Sequence, residues 1–297
     1  MRITQTMMQN NMLSNLFKSQ SQMNKYMNQI NTGKKVERPS DDPVIVMKGM
    51  GYRTEVAEVE QFRRNTSSIW NWMDHSDDAL DKATKAIQRI EYLAVQAAND
   101  TYEESQRKSI AEEVGQLKQQ LIELGNTKVN GKYIFNGTDL EDKPIEVDAD
   151  GKAVIDLTKD GRDKKVLIEV SKGIRFDVNV SPDDVFDEAL FENIENFIIA
   201  LNDNDQGAID TSVADLNTSA QKIIDSRAEL GARMNRLELI EDRLSHQEII
   251  AQDTMKTNEG VDFEEAVMNL LTQETIHRAA LSAGSKIIQP SLVDFLR

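Results

Sequence analysis

Residues 208–244 read AIDTSVADLNTSAQKIIDSRAELGARMNRLELIEDRL. Apolar side chains return at alternating steps of three and four: Ile209, Val213, Leu216, Ala220, Ile223, Leu230, Met234, Leu237 and Leu244. Only Arg227 and Glu241 put charge on this seam. Such a repeat lays the apolar groups on one stripe of a helix, and that stripe is best buried against a second helix of the same kind. The pattern predicts a helix over 208–258, roughly 75 Å long. A seam of that length needs a partner of similar length, which favours an antiparallel coil over a globular bundle.

Residues 44–128 can supply the partner. Asp42 is placed to cap a helix that has Pro43 at its first position, where a missing N–H costs nothing. The predicted helix runs over 44–98, with Ile69, Met73, Leu80, Ala83, Ile87, Ile90, Ala94 and Ala97 on its seam and Ser76 as the polar exception. Thr101 with Glu104 reads as a capping box for a further helix carrying Ile110, Val114, Leu117, Leu121 and Leu124. Gly125-Asn126 and Asn130-Gly131 end it. The first thirty residues repeat Leu13, Leu16, Met23, Met27 and Ile30, a seam soft with methionine that breaks at Thr32-Gly33. Beyond Gly260 a last helix spans about 262–288, followed by Pro290 and an apolar tail of Leu292, Val293, Phe295 and Leu296.

Between the helical halves the period changes. Val166, Ile168 and Val170 alternate with polar residues, as do Ile174, Phe176, Val178 and Val180, and Ser171-Lys172-Gly173 links the two runs as a hairpin. Asp148-Ala149-Asp150-Gly151 is a second turn. Helix resumes at Ser181-Pro182-Asp183-Asp184 and pauses at 202–207. The expected fold is mainly α with a small β-rich insert. A long antiparallel coiled-coil-like stalk is formed by the N- and C-terminal halves, with the β domain at the far end. The corresponding divisions are an N-terminal assembly arm and turn (1–43), one half of the stalk (44–130), the β-rich outer domain (131–181), the other half of the stalk (182–260), and a C-terminal arm (261–297).

Composition narrows the function classes. The chain has 297 residues, 39% hydrophobic but only 5% aromatic, a profile closer to thin helical seams than to a compact enzyme core. Its net charge of −16 argues against a general nucleic-acid binder. Residues 1–40 run the other way, with Arg2, Lys18, Lys25, Lys34, Lys35 and Arg38 against Glu37. The absence of cysteine excludes disulfides and thiol catalysis. No apolar run is long enough to span a bilayer, and the N-terminus lacks the apolar stretch of a cleaved secretory signal. His75, His246 and His277 are far apart in sequence and form no zinc motif. Thr32-Gly33-Lys34-Lys35 lacks the rest of a phosphate loop, and Asp148, Asp150 and Asp156 lack calcium-loop spacing. No catalytic site, cofactor site or metal site is expected.

The stretch Ile87-Gln-Arg-Ile-Glu-Tyr-Leu-Ala-Val-Gln-Ala-Ala-Asn-Asp-Thr101 resembles a helix of the flagellin superfamily. Leu230-Gly-Ala-Arg-Met-Asn-Arg-Leu-Glu238 is similar to its C-terminal half, and Leu270 to Leu296 to its C-terminus. Within the superfamily, Arg38-Pro39-Ser40-Asp41-Asp42-Pro43 and Gly131-Lys-Tyr-Ile-Phe-Asn-Gly-Thr138 resemble the branch that joins hook to filament rather than filament flagellin. The resemblance implies a structural, extracellular subunit of the bacterial flagellum, exported without a cleaved signal. Its implied partners are copies of itself in a ring, the first hook–filament junction protein, flagellin, and an export chaperone at the C-terminal region. No nucleic acid or membrane insertion is implied.

The expected assembly residues are Leu13, Leu16, Met23, Met27 and Ile30 at one end, and Leu270, Leu271, Ile276, Leu281, Ile287, Ile288, Leu292, Phe295 and Leu296 at the other. The narrow terminal seams bury too little apolar surface to offset ordering entropy alone, so residues 1–35 and 262–297 are expected to order on assembly. Filament flagellin is the nearest alternative, and a cytoplasmic coiled-coil scaffold a more distant one.

Overall fold

The computed structural model describes residues 5–99, 103–148, 152–155, 161–162 and 164–288. Its helices are α1 (Gln5–Thr32), α2 (Pro43–Ala97), α3 (Glu104–Gly125), the single turn α4 (Pro182–Val185), α5 (Glu188–Asp203), α6 (Gln206–Glu259) and α7 (Phe263–Ile288). Among the described residues, six short strands form three antiparallel pairs: β1 (Lys128–Val129) with β2 (Lys132–Tyr133), β3 (Glu146–Val147) with β4 (Ala153–Val154), and β5 (Leu167–Ser171) with β6 (Ile174–Asp177). The chain is therefore mainly α with a small β-rich insert. It divides into two compact units, one of Met1–Glu58 with Gln247–Arg297, the other Val59–His246.

In the second unit α2 and α6 pack antiparallel. The pairing descends one helix as it climbs the other: the Trp70 indole N–H donates to Glu241 (2.7 Å), Arg227 bonds Asp77 (3.0 Å) and Asp81 (2.7 Å), Asn217 donates to Glu91 (2.6 Å), and Gln206 donates to the Ala98 carbonyl (2.6 Å). The two charges that interrupt the α6 seam are thus each met by a group on α2. Lys85 first, and Arg227 with it, hold the half-buried Asp81 carboxyl below its usual value. Ser76 is fully buried and satisfies its hydroxyl by donating to the Trp72 carbonyl (3.0 Å). Ile69, Met73, Leu80, Ile87 and Ile90 on α2 meet Ile209, Leu216, Ile223, Leu237 and Leu244 on α6 as fully buried members of one apolar cluster. Each side chain of this size contributes about 1.5–3 kcal/mol on burial.

Helices α3 and α5 complete the helical layer of this unit. Arg89 reaches back from α2 to Glu113 on α3 at 2.7 Å. Buried Lys118 donates to Glu195 on α5 (2.5 Å), and buried Arg107 donates to Asn204 and Gln206 at 2.7 and 2.5 Å. The α3 seam buries Val114 and Leu121. Its start differs from expectation: Thr101 lies outside the described residues, and the cap is two residues on, where the Glu103 N–H donates to the Gln106 side chain at 3.1 Å.

Because α3 runs back along α2, it returns the chain to the flank of α2 and α6 within the second unit. Asn65 of α2 donates to the Glu169 carbonyl in β5 (2.8 Å), Arg233 of α6 donates to the Asn179 carbonyl (2.9 Å), and the Arg236 guanidinium stacks over Phe176. The insert therefore lies against the sides of α2 and α6, not beyond Ala97 where α2 ends. The β5–β6 hairpin is the one the alternation predicts, with Ile168 opposite Phe176. Asn130-Gly131, both at positive φ, form the β1–β2 turn rather than a second helix end. The helix expected after Ser181 is split. Phe186 leaves the helical path to pack edge-on against Phe135 at 5.2 Å, and Asp187 caps α5 by accepting from the Leu190 N–H at 2.8 Å.

Candidate assembly surface

The first unit holds α1, α7 and the adjoining ends of α2 and α6. Thr32 and Gly33 close α1 as the sequence predicts. Gly33 takes φ +68, the Thr32 hydroxyl donates to the Asn28 carbonyl, and the Gly33 N–H donates to the Gln29 carbonyl. The following residues pair with the link between α6 and α7. The Lys35 N–H donates to the Glu259 carbonyl (2.7 Å) and the Val261 N–H to the Gly33 carbonyl (3.0 Å). Lys34 and Lys35 are thus a backbone clasp, not part of a phosphate loop. Asp42 accepts from the Val44 and Ile45 N–H groups at 2.9 and 3.1 Å and starts α2, while Asp262 accepts from the Glu265 N–H and starts α7.

From the clasp, α1 and α7 run together as an antiparallel pair, and Met12 packs its thioether on Gly284. Glu259 anchors the clasp. Its buried carboxylate receives the Arg53 guanidinium at 2.6 Å, a bond that raises the Arg53 pKa above its ordinary value. Gly49 lies directly beneath this carboxylate, and a β-carbon there would overlap it. Two effects compete in a Gly49→Ala chain. Alanine favours the helix by about 1 kcal/mol, but the displaced carboxylate loses its buried seat beside Arg53. We expect the second to win, so that Gly49→Ala lowers the unfolding temperature while the same change in a Glu259→Ala background raises it. Thermal unfolding of the four chains in a double-mutant cycle checks this, and a stabilising Gly49→Ala on its own would refute it.

The clustered apolar core runs from Val59 to Leu244, entirely within the second unit. In the first unit the buried hydrophobic residues among those described are Val56, Ala251 and Ala266, none of them large. Large apolar groups point outward instead. Among the expected assembly residues, Leu13, Met27, Leu271, Ile276 and Leu281 are all about half exposed. Leu16, Met23, Ile30 and Leu270 are half-buried. Ile287 and Ile288 end α7, and their side chains lie outside the described residues, as do Leu292, Phe295 and Leu296 altogether.

Several exposed groups were not anticipated: Phe17, Met47, Met50, Phe263 and Met268. Each stands apart from the residues singled out by the repeat, so a search for repeats passes over it. Phe17 follows Leu16, Met47 follows Val44-Ile45-Val46 and Met268 follows Val267, so apolar residues beside a seam or in a short run are the signal that could have found them.

Among the described residues no group of three or more His, Asp or Glu side chains is placed to hold a metal, and no helix is long and apolar enough to cross a membrane. What the surface offers is apolar area on helices without a private core, the physical requirement for packing against other helices.

Comparison with known proteins agrees in kind. The model of the bacterial flagellin N-terminal helical region matches residues 3–139, and that of the C-terminal helical region matches residues 213–296, together well over half of the chain. Flagellar hook-associated protein 3 of Escherichia coli K12 is 27% identical over 308 residues, covering 94% of this chain and 94% of its own. Flagellin of Bacillus subtilis 168 is 26% identical over 259 residues, 80% of each chain. Among solved structures, a putative flagellar hook-associated protein from Vibrio parahaemolyticus superimposes with a TM-score of 0.68 at 18% identity, over 74% of this chain and 100% of that one, a likeness of fold.

Proposed function

The chain belongs to the bacterial flagellin family, and from that premise we propose that its terminal helices are the assembly arms of the subunit that joins hook to filament. It is a structural component of the flagellum, and relatives named hook-associated protein 3 match it over nearly their whole length. The observation that carries the role of the arms is the confinement of the apolar core to residues 59–244, while Leu13, Met27, Leu271, Ile276 and Leu281 on α1 and α7 stand about half in water.

On this reading residues 1–43 and 261–297 pack against equivalent helices of neighbouring copies in a ring, of the first junction protein on one side and of flagellin on the other. Before assembly the C-terminal apolar set, from Leu270 to Leu296, is held by an export chaperone. The chain reaches the cell exterior through the flagellar export route with its N-terminus intact. The β-rich insert, residues 131–181, adds outward-facing surface.

Deleting the gene tests the junction role: cells should keep hooks and release flagellin unassembled. Normal filaments on such cells would overturn it. The 26% identity with a flagellin over 80% of both chains keeps one rival in view, the filament subunit itself. Long polymers grown from the purified chain alone would favour that rival.

A further inference from the structure

Sulfur is unevenly placed in this molecule. Of the 12 methionines only Met73 and Met234 fall in the second unit, where Met73 is fully buried and Met234 packs partly buried against the core. In the first unit Met47 is 73% exposed, Met50 63%, Met268 62%, Met7 57%, Met27 49% and Met8 44%. The chain has no cysteine, so thioethers are its sulfur nucleophiles. They lie on the helices whose apolar surface has no private core.

We infer that the exposed methionines of the terminal unit, Met47, Met50 and Met268 foremost, are sites of reversible sulfoxide formation that switches off this apolar surface while the second unit stays folded. The oxidant is a peroxide. The thioether lone pair attacks one peroxide oxygen, an S–O bond forms as the O–O bond breaks, and the sulfur gives up two electrons. The transferred oxygen sheds its proton to the departing hydroxide, which leaves as water. Sulfoxide is polar and accepts hydrogen bonds, so burying it against an apolar neighbour leaves an acceptor unsatisfied. Several modified side chains on α1, α2 and α7 therefore convert an apolar surface into a wet one. Met73 has no such exposure, and its sulfur changes chemically only when the second unit opens.

The consequence for assembly rests on the terminal unit being the assembly surface. Chemical selectivity does not rest on it, and the test separates the two. The full chain is exposed to graded hydrogen peroxide and each methionine is followed by peptide mass spectrometry, together with binding of a hydrophobic dye, circular dichroism, and co-assembly with flagellin and the first junction protein. Met47, Met50 and Met268 should oxidise roughly tenfold faster than Met73. Dye binding and co-assembly should fall while helical signal is kept, and methionine sulfoxide reductases should restore both. A chain carrying Met27→Leu, Met47→Leu, Met50→Leu and Met268→Leu should keep dye binding and co-assembly through the same treatment. Oxidation of Met73 in step with Met47 would overturn the proposal, as would unchanged dye binding by the oxidised chain or loss of dye binding in the leucine chain. If the untreated chain fails to co-assemble, the assembly reading fails, and the oxidation map with the dye signal still decides the chemistry.

Discussion

A chain carrying Phe17→Glu and Leu271→Glu is expected to unfold at nearly the same temperature as the unaltered chain and to lose incorporation into the flagellum by about a hundredfold or more. Both native side chains are largely in water, Phe17 74% and Leu271 57% exposed, so removing them costs the isolated subunit little. In an assembled array each would be covered by a neighbouring helix. Losing two apolar anchors at about 2 kcal/mol each already exceeds a hundredfold in affinity, before the cost of covering two carboxylates. The readout is the fraction of chain sedimenting with sheared flagella from cells that express only the altered protein. Undiminished incorporation would exclude this face of α1 and α7 from the contact. A large drop in unfolding temperature would instead mean that these side chains serve the fold.

Phe135→Ala should do the opposite, destabilising the second unit by about 3–5 kcal/mol. Phe135 is fully buried, its ring stands at 71° to that of Phe186, and Phe186 in turn packs beneath Gly125 at the end of α3. One cavity there loosens the junction of α3, α4 and the insert together. Chemical denaturation measures the loss. A change below about 1 kcal/mol would mean that the insert packs on the helices without sharing their core.

These two sites also mark what could and could not be read from the chain. The α2 and α6 seams were legible because one stripe, repeated over many turns, has a single way to be buried. The β5–β6 hairpin was legible because Ile174, Phe176 and Val178 alternate cleanly. The split after Ser181 was not. Phe186 leaves the helical path for a contact with Phe135, some fifty residues earlier, that no local pattern encodes. Nor could the burial of Arg107 and Lys118 be foreseen, since their partners Asn204, Gln206 and Glu195 come from helices on the far side of the insert. At the terminal unit the repeat located the outward residues Leu13 and Met27, but Phe17 and Met50 stood outside it.

The two charges on the α6 stripe give the α2–α6 pair a property that apolar contact alone cannot. Leucine and isoleucine rows adhere almost as well after a slip of one heptad, about 10 Å along the axis. Arg227 and Glu241 do not. A one-heptad slip takes Arg227 away from both Asp77 and Asp81 and separates Glu241 from the Trp70 indole. The pair thus works as a keyed shaft, in which axial and twisting loads meet a fixed registration rather than a sliding fit. A chain that must find its alignment anew in each molecule has one notch to fall into.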